Sequence, residues 1–305
     1  MTIPVTGEQY EIRAGEYAAT VTALGANLRA LNHGRRGLVT TYDPDVLPPH
    51  GAGMLLSPWP NRVDRGTYTF DGATYQLAVS EPKLDNAIHG LTRFEVFCLV
   101  TRDGDSVTLR SPGHGGQGYP FAVQVDATYR LDAATGLTVA ITATNVGSRP
   151  APWGTAHHPY LTITAPLVDD CVLTLPAGKW LPVDERLIPS GEPRDVTGGE
   201  LDFRTPRKVG AVQLDTAFTD LARDADGLAW VHLEADGTHT ALWMDSSYRW
   251  LQAFTSDELE PEHRRAALAV EPMTCPPNAF ASGIDRIRLA PGESVTHQWG
   301  LRSLD

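Results

Sequence analysis

Two Asp-Gly dipeptides, each set between runs of alternating apolar and polar residues, constrain this chain more than any other feature. Residues 66–77 read GTYTFDGATYQL, and residues 231–243 read VHLEADGTHTALW. Period-two alternation gives an extended strand one apolar face, and Asp-Gly supplies the positive φ angles of a tight hairpin turn. Both segments are predicted to be β-hairpins. Residues 127–143 (ATYRLDAATGLTVAITA) set two more alternating runs around Gly136, and residues 107–109 and 295–301 read as short strands. The 28 glycines and 23 prolines are spread along the 305 residues, as punctuation between strands. Helical patterning is scarce. Residues 256–267 carry capping-type residues but include Pro261, which leaves room for a turn or two at most; 278–282, after Pro276-Pro277, suits one short helical turn. The expected fold is all-β: a large antiparallel β-sandwich with very little helix. No internal repeat or linker interrupts the pattern, so residues 1–305 are read as a single domain. Periodicity does not supply the strand order.

Composition narrows the partners. Hydrophobic residues at 42% and charged residues at 20% describe an ordinary globular chain and exclude extensive disorder. The formal net charge of −12 repels phosphate backbones and anionic lipid, which argues against nucleic acid or a membrane as partner. Cys98, Cys171 and Cys275 are odd in number, far apart and without CxxC spacing, so neither a disulfide framework nor a zinc site follows. The opening MTIPVTGEQYEI has no basic stretch followed by an apolar run, and no apolar run approaches the length of a membrane span. A cytoplasmic location is expected. The sequence leaves the oligomeric state open.

Five segments depart from ordinary strand or turn sequence. Residues 57–64 (SPWPNRVD) surround Asn61 and Arg62 with prolines and a tryptophan. A rigid guanidinium fork beside an amide suits hydroxyl recognition, although such an arginine equally pairs with a loop carboxylate. Residues 86–91 (NAIHGL) place His89 before Gly90; a lone histidine is more often structural than functional. Residues 153–161 (WGTAHHPYL) cluster Trp153, His157, His158 and Tyr160. On a strand, His158 and Tyr160 share one face and His157 takes the other, which argues against both histidines binding one metal. Asp215 in DTAF and Gln252 in QAFT each put a polar group beside aromatics. In residues 269–280 (AVEPMTCPPNAF), Glu271 ends an apolar run before a rigid loop. Partial desolvation there raises a carboxyl pKa and makes a better base near neutrality, though a satisfied structural carboxylate fits the same pattern. Cys275 has no basic partner in its segment and reads as packing.

Taken in order, PNR, NAIHG, HPYL, DTAF, QAFT and VEPMT resemble the motifs of the aldose 1-epimerase, or galactose mutarotase, family. The resemblance runs from Asn61 to Glu271 and implies the family's supersandwich fold. It also implies that a cofactor-independent isomerase interconverts the α and β anomers of a glucose- or galactose-like aldose. By position, His158 matches the family's proton donor and Glu271 its proton acceptor; Asn61, Arg62, His89, Tyr160, Asp215 and Gln252 match sugar-contacting positions. No metal is implied. This chain has His157 where many members have Asn, Pro159 where many have Thr or Ser, and Phe94 where Trp is frequent. These departures also suit a sugar that is sulfonated or deoxygenated.

The implied reaction needs one base at the anomeric hydroxyl and one acid at the ring oxygen, with roles exchanged after rotation about C1–C2. His158 would start protonated, so nearby carboxylates such as Asp215 are expected to hold its pKa near or above neutral. Trp153 or Tyr160 is expected to stack on the sugar. Two other readings stay open: a non-catalytic sugar-binding sandwich using the same cleft, and a metal-dependent β-fold enzyme.

Overall fold

The computed structural model describes residues 3–162 and 164–305. Met1 and Thr2, the start of the segment read above for a leader, lie outside the described residues. The two Asp-Gly hairpins form as the alternation predicts. Thr67–Phe70 pairs with Ala73–Gln76, and Ala229–Ala235 pairs with Thr238–Met244. Asp71 and Gly72 have φ of 49° and 79°, and Asp236 and Gly237 have 48° and 77°, the left-handed pair that a tight hairpin requires.

Two large sheets carry the architecture. A nine-stranded sheet begins at the edge strand Cys98–Arg102 and continues through Ser106–Arg110, Val123–Asp132 and Gly136–Asn145. It passes to the ten-residue strand Ser294–Ser303, then back to Thr238–Met244 and Ala229–Ala235, and ends at Val172–Thr174 and Arg207–Lys208. The longest crossover therefore brings the last strand of the chain into the centre of the sheet. The second sheet follows the order Arg194–Asp195, Ala177–Leu181, Asp215–Leu221, Trp250–Phe254, Leu268–Met273, Ala156–His157 and Leu55–Leu56. Tyr160–Leu161 also pairs with Leu268–Met273. A separate four-stranded sheet, Gln9–Ala14 to Arg36–Gly37, packs against Ser106–Arg110 and Val123–Asp132 of the nine-stranded sheet. Every pairing between named strands is antiparallel.

One large apolar cluster joins the two main sheets. Val125, Ala127, Ile141 and Trp299 enter it from the nine-stranded sheet; Leu251, Ala253, Leu268 and Val270 enter from the other. Burial in that layer is the main driving force for the sandwich. The single α-helix among the described residues, Ala279–Ser282, is the short turn expected after Pro276-Pro277. The segment 256–267 forms turns without a helix. Of the three free cysteines, Cys171 and Cys275 are buried and Cys98 is exposed. No helix of the described residues is long and apolar enough to cross a membrane.

Candidate active site

Alternation in the second sheet builds the site. In Leu268–Met273, Leu268 and Val270 point into the inter-sheet core, so Ala269, Glu271 and Met273 take the opposite face. The neighbouring strand does the same, with Leu251 and Ala253 inward and Gln252 outward, in direct register with Glu271. Two small apolar clusters flank this outward row. Met54, Leu56, Trp250 and Met273 belong to one; Tyr42, Tyr160 and Ala269 belong to the other. The ionisable groups thus sit between apolar banks on the outer face of the sheet.

Glu271 is 2% exposed and His158 is 4% exposed. Their Oε1 and Nε2 atoms lie 3.3 Å apart. His158 and Pro159 fall in a break between Ala156–His157 and Tyr160–Leu161. Nevertheless, His158 and Tyr160 share a face, with rings stacked at 4.9 Å. His157 points the other way, into the core, against Trp299 at 5.0 Å and with its Nε2 3.3 Å from the Tyr129 hydroxyl.

A cleft of about 260 Å³ opens above the pair. This is slightly below the range of ordinary small-molecule sites, roughly 300–1,000 Å³. Asn61, Arg62, His89, His158, Tyr160, Asp215 and Glu271 all line it. Gln252 is 3% exposed and stands behind Asp215, donating from Nε2 to the Asp215 Oδ1 at 2.6 Å. The sequence-chosen residues therefore converge on one place, with Gln252 one layer back.

Two loops deliver Arg62 and His89 together. The strand Arg62–Asp64 pairs with Asn86–Ile88, and the His89 N–H donates to the Asn61 carbonyl at 2.9 Å. Asn61 and His89 hold left-handed φ values of 50° and 62°. A non-glycine residue in that region costs of order 1–3 kcal/mol, and such strain gathers at functional sites. Gly90 permits the close approach, since a Cβ there would lie 2.0 Å from the Ser57 carbonyl oxygen.

The electrostatics of the pair differ from the sequence expectation. Burial depresses the His158 pKa to about 4, where Asp215 was expected to keep it near neutral. Burial, with the Asp215 charge, pushes Glu271 well above its ordinary 4.5, against the opposing pull of Arg62. Both directions favour a neutral carboxyl beside a neutral imidazole. The proton expected on the histidine is thus on the carboxyl side, because neither charge is solvated there. Asp215 is also raised by burial, opposed by Arg62 and Gln252. His89 is half-buried, its Nδ1 has no hydrogen-bond partner, and burial holds its pKa well below 6.5. Among the described residues, Glu271 Oε2 and Gln252 Oε1 are also buried without partners. A carboxyl and an imidazole that share one proton, with free acceptor positions above them, can pass protons to and from hydroxyl and ether oxygens.

One further expectation changes. Trp153 is 1% exposed inside the inter-sheet core and cannot stack on a ligand in the cleft. The departures from the usual motifs stand off the cleft wall: His157 is in the core, Phe94 is 62% exposed, and Pro159 is engaged through its carbonyl with the Val270 N–H. The sequence reading also passed over wall residues. Glu81, His50, Phe254 and Glu258 line the cleft. His50 precedes glycine in PPHGAG much as His89 does in NAIHG, which is the one local signal for it. Glu81 has none, because its partner Arg62 is distant in sequence. Among the described residues, no group of three or more His, Cys, Asp or Glu side chains is arranged to hold a metal ion.

Comparison with known proteins bears on the fold and the family of the chain. The chain is 35% identical to the protein YihR of Escherichia coli K12 over 288 residues, 94% of this chain and 91% of that one. It is 33% identical to human galactose mutarotase over 165 residues, 52% of this chain and 46% of the relative. An aldose epimerase homologue from C. elegans superposes with a TM-score of 0.84 at 20% identity, covering 98% of this chain and 99% of that one. A galactose 1-epimerase from Lactobacillus acidophilus superposes with a TM-score of 0.81 at 18% identity, covering 99% and 97%. At those identities the structural likeness speaks for the galactose mutarotase-like fold. The family profile for aldose 1-epimerase matches residues 8–302, nearly the whole sequence, and the chain belongs to the aldose 1-epimerase family.

Proposed function

We propose that this protein is an aldose 1-epimerase that interconverts the α and β anomers of a hexose, with residues 1–305 acting as one unit. The observation that carries this reading is the 3.3 Å approach of Glu271 and His158 on the floor of a polar cleft. In the proposed reaction, Glu271 takes the proton of the anomeric hydroxyl as His158 gives one to the ring oxygen. The ring opens to the aldehyde, C1–C2 rotates, and the two groups reverse roles to close the ring. The pair holds one proton throughout, so the reaction is only a relocation of that proton. A sugar hydroxyl donating to Glu271 favours the carboxylate and shifts the proton toward His158 before ring opening. Each general acid or base contributes about 10²–10⁴-fold.

Arg62, Asn61, His89 and Asp215 hold the remaining hydroxyls in this reading, and Gln252 orients Asp215. Tyr160 supports the His158 ring. Polarimetry of freshly dissolved α-glucose and α-galactose, with and without protein, tests the proposal. Accelerated decay of rotation is expected, and it should persist after dialysis against EDTA without nucleotide, because proton transfer alone is required. Loss of activity in EDTA with recovery on adding a divalent ion would favour a metal-dependent enzyme. Binding of sugars without acceleration would favour a carbohydrate-binding sandwich. Including sulfonated and deoxy hexoses in the panel tests for a modified substrate.

A further inference from the structure

Among the described residues, Arg62 is the one arginine in the cleft wall, and its guanidinium is already committed on one edge. Nε donates to Glu81 Oε2 and Nη2 to Glu81 Oε1, both at 2.9 Å, a two-point fork. Glu81 is itself fixed. Asn86 Nδ2 donates to Glu81 Oε2 at 3.2 Å, and Glu81 and Asn86 exchange backbone hydrogen bonds at 2.9 and 3.2 Å. Asn86 is fully buried and is held in turn by Arg186, whose Nη2 donates to Asn86 Oδ1 at 3.1 Å. Arg186 also pairs with Asp64 at 2.6 Å, two residues along the strand that carries Arg62. The chain of contacts leaves Arg62 and returns to its own strand. It leaves Nη1, which lies 3.9 Å from Asp215 Oδ2, as the edge turned toward the cleft.

We propose that Glu81 is a positioning residue: it fixes the Arg62 guanidinium so that Nη1 faces the sugar and does not close on Asp215. The proposal rests on the epimerase reading for its kinetic consequence, but the geometry stands apart from it. Without Glu81, Arg62 is a mobile cation 3.9 Å from an acceptor. It would form a direct pair with Asp215 and withdraw both groups from the ligand. Glu81 also helps to raise the Asp215 pKa, and Arg62 lowers it, so the same change drives the Asp215 titration downward twice over.

The experiment uses Glu81→Gln, which keeps size and one acceptor oxygen, and Glu81→Asp as a second variant should the first fold poorly. Circular dichroism and thermal melting establish folding for both. For Glu81→Gln, KM for the turned-over aldose should rise about 10-fold with kcat little changed, the effect of one charge-assisted hydrogen bond. In an Arg62→Met background the same substitution should add almost nothing. Carboxyl-¹³C NMR titration should show the Asp215 midpoint at lower pH in Glu81→Gln than in the wild type. An unchanged KM, or an equal loss in the Arg62→Met background, overturns the positioning role. A wild-type protein that accelerates no aldose overturns the proposed function; the Asp215 titration repeated in the Arg62→Met background then tests Glu81 alone, and a Glu81→Gln shift as large there as with Arg62 present overturns its role.

Discussion

The two faces of the second sheet are equally buried and chemically opposite. On strand Leu268–Met273, Val270 and Glu271 are 0% and 2% exposed; on strand Trp250–Phe254, Leu251 and Gln252 are 0% and 3% exposed. One member of each pair enters the inter-sheet core, and the other faces the cleft between two apolar banks. The adjacent histidines repeat the division, with His157 packed on Trp299 and His158 against Glu271. Burial alone therefore does not separate structure from function. What separates them is what surrounds the buried group: the inter-sheet apolar core on one face, other titratable groups and unpaired acceptors on the other. Substitutions on the core face should cost stability, and those on the cleft face should cost activity.

The hardest test is Glu271→Gln. The amide keeps the shape and removes the proton acceptor, so activity should fall at least ~10²-fold. Its effect on stability should have the opposite sign. The folded-state pKa of Glu271 is raised, so its favourable contribution is present below about pH 4.5 and is lost as pH rises through the raised value. The glutamine variant cannot ionise and should melt at or above the wild-type temperature in neutral and alkaline buffer. A folded variant with near-normal turnover would remove Glu271 from the base role, and a large fall in melting temperature would make it structural.

Next comes the histidine pair, which divides activity from stability within two residues. His158→Asn should lose roughly 10²-fold or more in activity, because asparagine can hydrogen-bond a ring oxygen but cannot protonate it at neutral pH. His157→Asn should keep most activity. It should lose about 1–3 kcal/mol of stability as the ring leaves its place against Trp299 and Tyr129. The reverse outcome would exchange the two assignments while leaving the function in place.

A smaller effect should blur the division. Burial depresses both ring pKa values, to about 3 for His157 and about 4 for His158. Each ring favours the fold fully above its unfolded value of about 6.5, and that contribution is lost as pH falls through the folded value. Acid unfolding followed between pH 6.5 and 3 should therefore be less steep in either asparagine variant than in the wild type. Unchanged acid sensitivity in both would show that the rings are not held neutral by burial.

This division was partly legible in the sequence. The hairpins around Asp71-Gly72 and Asp236-Gly237 were readable because their turns are local. The opposed directions of His157 and His158 followed from alternation and hold even though the strand breaks at Pro159. Strand order was not readable, because Ser294–Ser303 enters the middle of the nine-stranded sheet from the end of the chain. The same non-locality hid Glu81 and His50, whose contacts with Arg62 and Tyr160 link distant segments. The protonation of the pair departs from the sequence expectation for a related reason. The sequence shows which charges are present but not how little water reaches them.

The finest test concerns Tyr160, which belongs to the cleft bank by position but resembles a core residue in its contacts. It is 5% exposed, its ring stacks on His158, and its hydroxyl donates to the His50 carbonyl at 3.1 Å. Family position suggests contact with the sugar; the geometry suggests a ring that braces the acid and a hydroxyl that ties down the turn at His50. Tyr160→Phe separates these. It keeps the stack and removes one hydrogen bond, worth about 0.5–1.5 kcal/mol. If the ring matters, the variant should lose that much stability, with kcat nearly intact and KM changed by no more than about threefold. If the hydroxyl binds the sugar, KM should rise about 10-fold or more while the melting temperature stays put. Tyr160→Leu then removes the ring as well. A further fall in kcat in that variant, with His158 still present, would place Tyr160 behind the acid as its support.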